Sequence, residues 1–340
     1  MCIKSNIHLY VKCYIKNVRR FLMSTSKRIC DQLVVRWPVE AKIVNCYVFN
    51  LNLSTAFIVF SYLCSALTNE KMMKKIFIFL LLLLAFTAAA QAQASKAQNT
   101  KELWIENGSR RIFGELFTPQ NAKANGPVAI IAHGFNGTFD FGRNYFDVMG
   151  RKGYHCYTFD FPCGSVRSRS DNNTMNMSIL DEVSDVKAIV NHFRKQGHQH
   201  IVLIGESQGG LVSALTAAEL KDEVSQLVLV FPALCIPENW RQRYPRVEDI
   251  QDVTELWGVK MGRRFFEEIH DMRAFDIIGR YRGPVLIVQG DADRVVSMDD
   301  SRRAQQLYRP GTRLHVIPGA GHGFKPNEFQ QEMEQLEQFL

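Results

Sequence analysis

Two hydrophobic patterns alternate along the C-terminal part of the chain, and together they predict its fold. Short runs of consecutive apolar residues, such as 128–132, are typical of strands buried on both faces. Between them, apolar residues recur at helical spacing, as at Val183, Val186 and Ile189. Strands are predicted at 103–117 (a hairpin), 128–132, 155–161, 201–204, 226–231, 285–289 and 313–317, and helices near 145–152, 178–196, 211–221, 298–308 and 328–340. This alternation predicts an α/β fold, with a mostly parallel sheet covered by helices on both faces.

Residues 72–94 have the pattern of a secretory signal peptide. A short basic head precedes an apolar run, and small residues then follow with a spacing suited to cleavage after Ala92 or Ala94. The apolar run is shorter than the roughly 20 residues of a membrane span. The mature chain is therefore expected to be exported, periplasmic or secreted, without stable membrane insertion. N-terminal sequencing of exported protein is expected to start near Gln93 or Ser95.

Residues 1–71 differ from the rest of the chain in charge and cysteine content. They hold 10 Lys or Arg, 3 Asp or Glu and five of the eight cysteines, whereas residues 76–340 hold 29 Lys or Arg and 31 Asp or Glu. We expect residues 1–71 to be mis-assigned upstream sequence, with initiation at Met72 or Met73, and residues 95–340 to be one domain. The alternative is a genuine extension that lies in or on a membrane. Because the domain is near neutral, nothing in it favours a nucleic-acid partner.

The pentapeptide Gly205-Glu-Ser207-Gln-Gly209 stands between a predicted buried strand and a predicted helix. Glycines at both ends permit a turn too tight for a Cβ, so the hydroxyl of Ser207 is expected to project from the edge of the sheet. In that context a serine can act as a nucleophile. The alternative is a glycine-rich turn with an idle serine.

Two other chemical groups follow predicted strands. Asp293 comes after strand 285–289, and His322 comes after strand 313–317. Acyl transfer by a serine needs a base and an acid that orients the base, and the carboxyl ends of parallel strands meet at one edge of a sheet. Asp291 competes with Asp293, because residues two apart in an extended chain point to the same side.

Backbone amides near Ser207 are the candidate stabilisers of an oxyanion. The turn His133-Gly-Phe135 also follows a buried strand and can aim an N–H at a developing negative charge. The N–H of Gln208, at the start of the helix, would be the second donor.

With these residues placed, the chain resembles the α/β-hydrolase superfamily, and within it the bacterial cinnamoyl and feruloyl esterases. The resemblance implies Ser207 as nucleophile, His322 as general base and acid, and Asp293 as orienting acid. It also implies that the amides of Phe135 and Gln208 form the oxyanion hole. Two departures alter the rim of the site: residues 162–165 replace a Gly-His-Gly turn, and Glu206 replaces a histidine before the serine.

Residues 235–281 interrupt the alternation of strands and helices. They are rich in arginine and aromatic residues and fall between the sixth and seventh strands of the predicted sheet. We predict that they form a small helical cap over the catalytic edge, with Trp240, Tyr244 and Trp257 as substrate-binding residues, since ligand pockets are lined mainly by apolar and aromatic groups. The alternative is that these rings only pack the cap onto the sheet.

Other residues of the domain suggest no metal and no cofactor. The three cysteines outside residues 1–71 are expected to be unpaired and not catalytic: Cys156, Cys163 and Cys235. Three histidines cluster near a helix end with a spacing that suits no zinc motif: His192, His198 and His200.

Three functions remain open, and the first is favoured: a hydrolase that cleaves small-molecule carboxylic esters through an acyl-enzyme. The second is a serine exopeptidase of the same fold, in which Glu267 and Glu268 would hold the substrate amine. The third is a non-catalytic binding protein on a hydrolase scaffold. Arg167 and Arg169 could face the cleft and favour an acidic substrate. The sequence does not address the oligomeric state.

Overall fold

The computed structural model describes residues 99–340, so the predictions for residues 1–71 and 72–94 lie outside the described part of the chain. The strands are β1 (Thr100–Asn107), β2 (Arg110–Phe117), β3 (Val128–Ala132), β4 (His155–Phe159), β5 (Ile201–Glu206), β6 (Gln226–Val230), β7 (Val253–Leu256), β8 (Val259–Gly262), β9 (Val285–Gly290) and β10 (Arg313–Ile317). The α-helices are α1 (Phe146–Lys152), α2 (Ile179–Lys195), α3 (Gln208–Leu220), α4 (Ile236–Arg243), α5 (Arg263–His270), α6 (Ala274–Ile278), α7 (Met298–Leu307) and α8 (Pro326–Phe339).

Eight of these strands form one sheet in the order β1-β2-β4-β3-β5-β6-β9-β10. The hairpin β1–β2 is antiparallel, and β2 pairs with β4 in antiparallel register. The other six strands run parallel to one another: β4, β3, β5, β6, β9 and β10. Ala132 pairs with Gly205, and Glu206 pairs with Val230, so β3, β5 and β6 end at the same level of the sheet. The predicted mostly parallel sheet is confirmed.

Helices cover both faces of the sheet, and alternate side chains of each strand contribute to two separate cores, one on each face. In β5, Leu203 belongs to the core that includes α2, α3 and residues of the 235–281 segment, whereas Val202 and Ile204 belong to the core that includes α1 and α8. This division follows from the period of two along a strand.

The segment 235–281 contains a β-hairpin as well as helices, which the sequence analysis did not predict. β7 and β8 pair through a two-residue turn in which Trp257 and Gly258 have φ of 48° and 79°. Positive φ at both central positions is the geometry of the tight hairpin turn that matches strand twist. A bulky residue at the first of these positions is an unusual turn signal, so the sequence pattern did not reveal the hairpin.

A helix cap and the state of the cysteines complete the description, and the expectation that the three cysteines are unpaired is confirmed. The Ser178 hydroxyl accepts a hydrogen bond from the N–H of Asp181 and caps α2. Cys156, Cys163 and Cys235 are free and buried. Within residues 99–340, none of the helices is both long enough and apolar enough to cross a bilayer.

Candidate active site

Ser207 stands on a tight turn between β5 and α3. Its backbone has φ 52° and ψ −117°, a conformation that residues other than glycine rarely adopt. The turn excludes a side chain at Gly205, where a Cβ would lie 2.2 Å from the carbonyl oxygen of Gly209. Backbone strain of this kind persists where surrounding structure holds it in place. Here the N–H of Ser207 donates to the carbonyl of Val230, and the Ser207 carbonyl accepts from Ala233.

The structure brings Ser207, His322 and Asp293 into one hydrogen-bonded chain. The Ser207 Oγ lies 3.0 Å from His322 Nε2, and His322 Nδ1 lies 2.9 Å from Asp293 Oδ2. The Asp293 side chain is fully buried, and the His322 side chain is 19% exposed. A carboxylate on Nδ1 holds the Nδ1–H tautomer and leaves Nε2 free to accept a proton from the hydroxyl.

Every oxygen of the Asp293 carboxylate is held by a donor. Oδ1 accepts from the N–H groups of Val295 and Val296 at 2.8 and 3.0 Å, and Oδ2 accepts from Gln289 Nε2 at 2.9 Å as well as from His322. Gln289 is buried and its Oε1 accepts from the Ser301 hydroxyl at 2.9 Å. Gln289 was not predicted as a site residue, although a glutamine inside a run of apolar residues indicates that a buried polar partner exists.

Asp291 has a different environment. Its Oδ1 accepts from the N–H of Gly319 at 2.6 Å, and the residue is exposed. The structure therefore places Asp293, and not Asp291, against His322.

The turn that contains Phe135 lies against the candidate nucleophile. A Cβ at Gly134 would lie 3.1 Å from the Cβ of Ser207. His133 is buried and fixes the turn, since its Nε2 accepts from the N–H of Phe161 and its Nδ1 donates to the carbonyl of Gly134 at 2.8 Å. Burial lowers the pKa of His133 to about 4, so the ring is neutral and can make both bonds.

Two backbone amides next to Ser207 remain available for a ligand. Among the hydrogen bonds of residues 99–340, none uses the N–H of Phe135. Gln208 is the first residue of α3, where an N–H has no partner within the helix. The Gln208 side chain is committed elsewhere, because its amide donates to both carboxylate oxygens of the buried Glu182 at 2.9 and 3.0 Å.

The segment that departs from the family pattern supports the same turn from the other side. The Asn136 N–H donates to the carbonyl of Gly164, and the Ser165 hydroxyl donates to the Asn136 carbonyl at 3.2 Å. Residues 162–165 thus hold Asn136, the residue after Phe135, in place through these hydrogen bonds. The loss of the Gly-His-Gly turn leaves this part of the site intact.

The three aromatic residues proposed to bind substrate lie in different surroundings. Tyr244 is buried in the core of the cap, where its hydroxyl hydrogen-bonds to Thr254 at 2.8 Å. Trp240 packs edge-on against Phe266, with 4.5 Å between ring centroids. Trp257 is 68% exposed at the hairpin tip, and its ring centroid lies 5.9 Å from that of Phe135. Of the three, Trp257 is therefore the one in contact with the candidate oxyanion turn.

The acidic pair considered for an exopeptidase is neutralised within the protein. Glu267 pairs with Arg263 at 2.5 Å, and Glu268 pairs with Arg264 and hydrogen-bonds to Ser178. Both acids therefore pair with arginines of their own helix α5, and Glu268 also links α5 to Ser178 at the start of α2.

Three other polar candidates have structural partners: Arg169, His198 and His200. The Arg169 guanidinium pairs with Glu102 and lies over the ring of Phe113, 3.6 Å from its centroid. His198 bonds to the Gly126 carbonyl, and His200 bonds to Tyr154 and Gln226. Within the part of the chain that the structure describes, no three of His, Cys, Asp or Glu are arranged to hold a metal ion.

Comparison with known proteins supports this reading of the fold. Residues 123–265 match the family model described as serine aminopeptidase, S33. The chain is 25% identical over 116 residues to a Mycoplasma pneumoniae protein named "Putative esterase/lipase 2", and this match spans 40% of that protein's length.

Solved structures align with most of the described chain. Est1E from Butyrivibrio proteoclasticus, solved with ferulic acid bound, is 26% identical with a TM-score of 0.65, covering 70% of this chain and 97% of that one. The esterase EaEST from Exiguobacterium antarcticum shares the fold at 15% identity, with a TM-score of 0.54 and coverage of 70% and 99%. The chain has the α/β-hydrolase fold. Its resemblance to the α/β-hydrolase superfamily, and to the feruloyl esterase type within it, is confirmed.

Proposed function

We propose that the protein is a serine hydrolase that cleaves small-molecule carboxylic esters through an acyl-enzyme. The observation that carries this proposal is the chain from Ser207 through His322 to Asp293, placed beside two unused backbone amides. Its similarity to Est1E, whose structure holds ferulic acid, supports an ester with an aromatic or small acyl group.

In the first half of the reaction, the Ser207 Oγ attacks the ester carbonyl carbon while its proton passes to His322 Nε2. Negative charge then develops on the carbonyl oxygen, and the N–H groups of Phe135 and Gln208 stabilise it. The bond to the leaving oxygen breaks as His322 donates the proton to that oxygen, so an alcohol leaves and the acyl group stays on Ser207.

In the second half, water attacks the acyl-enzyme. His322 accepts a proton from the water, a bond forms between the water oxygen and the carbonyl carbon, and the bond to Ser207 Oγ breaks as the proton returns to it. The carboxylic acid leaves and the resting state is restored. Asp293 keeps the imidazole oriented in both halves and stabilises the imidazolium that forms.

Ester cleavage is favoured over peptide cleavage by the state of the candidate amine-binding residues. The two carboxylates considered for holding the amino group of a peptide, Glu267 and Glu268, are engaged by Arg263 and Arg264. The family match to serine aminopeptidases keeps peptide cleavage as the second candidate.

A substrate panel tests the proposed reaction. Protein starting near Ser95 would be assayed on p-nitrophenyl esters, hydroxycinnamate esters and aminoacyl anilides. We expect turnover of esters and no measurable turnover of anilides. Faster turnover of anilides than of all esters would favour the peptidase, and no turnover of either class would favour a binding protein.

Substitutions in the cap separate substrate contact from packing. Trp257→Ala is expected to change the ratio of kcat/KM for aryl and alkyl esters by about tenfold, the scale of a hydrophobic pocket contact. Its thermal stability is expected to stay near that of the wild type, because the ring is 68% exposed.

Tyr244→Ala is expected to destabilise the fold by about 3 kcal/mol, since it removes a buried ring. Thermal melts and ester kinetics on both variants, with Trp240→Ala alongside, make the test; an unchanged ratio in all three would remove these residues from substrate selection.

A further inference from the structure

A cavity of about 440 Å³ lies beside the candidate active site, on the sheet face covered by α1 and α8. Its lining includes four phenylalanines and two acids: Phe141, Phe231, Phe324, Phe329, Glu206 and Glu332. This volume is within the range of small-molecule pockets. Neither Glu206 nor Glu332 has a role in the proposed ester hydrolysis.

Sequence neighbours of Ser207 and His322 line the cavity, namely Glu206 and Gly323. Glu206 directly precedes Ser207, and its place in β5 puts its side chain on the same face as Val202 and Ile204. Phe324 follows His322 by two residues, and the ring centroid of Phe231 lies 4.7 Å from that of His322. Phe231 has φ 33°, a strained backbone that aims its ring between His322 and Phe324.

Because of this position, the alcohol portion of an ester substrate would lie in the cavity. His322 must give its proton to the leaving oxygen, so that part of the substrate lies next to the imidazole.

The two acids differ in their bonding. Glu332 accepts a hydrogen bond from the Tyr145 hydroxyl at 2.6 Å. Glu206 is half-buried at the cavity wall, and no hydrogen bond or ion pair within residues 99–340 engages its carboxyl group. The Glu206 carboxyl group can therefore bind a polar or charged group that enters the cavity.

Burial of the two carboxyl groups favours their neutral forms. It raises the pKa of Glu206 and of Glu332 to about 8, and for Glu332 the nearby Glu206 charge adds to the effect. The titratable groups that face Glu206 are Tyr145, Glu332 and, across Phe231, His322. None of these supplies a permanent positive charge, so a bound cation would be the counter-ion that favours the carboxylate form.

We propose that this cavity binds a cationic amine on the alcohol portion of the ester substrate, with Glu206 as its counter-ion and the phenylalanine rings as its walls. Aromatic faces attract alkylammonium groups, and a carboxylate supplies the opposite charge. The inference rests on the proposed ester hydrolysis and narrows its substrate class.

A pair of isosteric esters tests the subsite. Butyrylcholine and 3,3-dimethylbutyl butyrate have the same shape, but only the first carries a charge. Wild-type protein is expected to favour butyrylcholine by about tenfold in kcat/KM. Glu206→Gln is expected to reduce this preference at least about fivefold, whereas Glu334→Gln, an exposed acid on the same helix as Glu332, should retain it. Equal kcat/KM for the two esters in wild type, or the full preference in Glu206→Gln, would overturn the proposal.

Binding measurements separate this proposal from the proposed reaction. Calorimetric titration of the Ser207→Ala variant with choline and with 3,3-dimethylbutan-1-ol needs no turnover. Stronger binding of choline, weakened by adding Glu206→Gln in a variant whose thermal melt stays cooperative, supports the subsite even if no ester is cleaved. Ester cleavage without any choline preference in either assay would retain the reaction and reject the subsite.

Discussion

Ser207→Ala is expected to lose about 10⁴–10⁶-fold in kcat on any ester that the wild-type protein cleaves, because the serine, histidine and aspartate act as a unit. The variant keeps the Cβ that the turn already accommodates at φ 52°. Thermal unfolding should therefore stay close to that of the wild type. The measurement is steady-state turnover of p-nitrophenyl butyrate together with a thermal melt.

Ser213→Ala is the matched control. It makes the same change in helix α3, at a hydroxyl that is buried without a hydrogen-bond partner. Its activity is expected to stay within about threefold of wild type, since no group depends on that hydroxyl. A Ser207→Ala variant within tenfold of wild-type activity would reject this nucleophile.

Asp293→Asn is expected to reduce kcat on the order of 10⁴-fold, because it reverses the tautomer of His322. The N–H groups of Val295 and Val296 hold an oxygen at the Oδ1 position. The amide NH₂ of the asparagine would then replace Oδ2 and face both His322 Nδ1 and Gln289 Nε2. A donor at that place requires a neutral His322 to carry its proton on Nε2, where it cannot accept the serine proton.

The comparison variant is Asp291→Asn, which keeps an oxygen to accept the Gly319 N–H. It is expected to retain activity within about threefold of wild type, as for an exposed site. Kinetics of both variants on one ester decide the assignment. A larger loss in Asp291→Asn than in Asp293→Asn would mean that the structure pairs the wrong acid with His322.

The parts of the site that the sequence predicted are those carried by strand ends. Uninterrupted apolar runs located β3, β5, β9 and β10, and parallel strands must end at a common edge. Ser207, Asp293 and His322 follow three of those strands, so their meeting could be foreseen. The choice between Asp291 and Asp293 could not be made from residue patterning, because residues two apart in an extended chain point to the same side.

The parts that the sequence did not predict depend on contacts between distant segments. Glu206 and Glu332 meet at one cavity only because α8 packs on the face of β5 that carries Glu206. The hairpin β7–β8 is short, and Trp257 at its turn adopts a positive φ that residues other than glycine rarely take. Its position against Phe135 is likewise a tertiary result.

The measurement that tests the account most directly is the identification of the acylated residue. The protein would be acid-quenched during turnover of p-nitrophenyl butyrate and its peptides analysed by mass spectrometry. We expect a butyryl group on Ser207 in the wild type and in Ser213→Ala, and none in Ser207→Ala. A butyryl group on another residue that persists in Ser207→Ala, with turnover retained, would contradict the proposed acyl-enzyme.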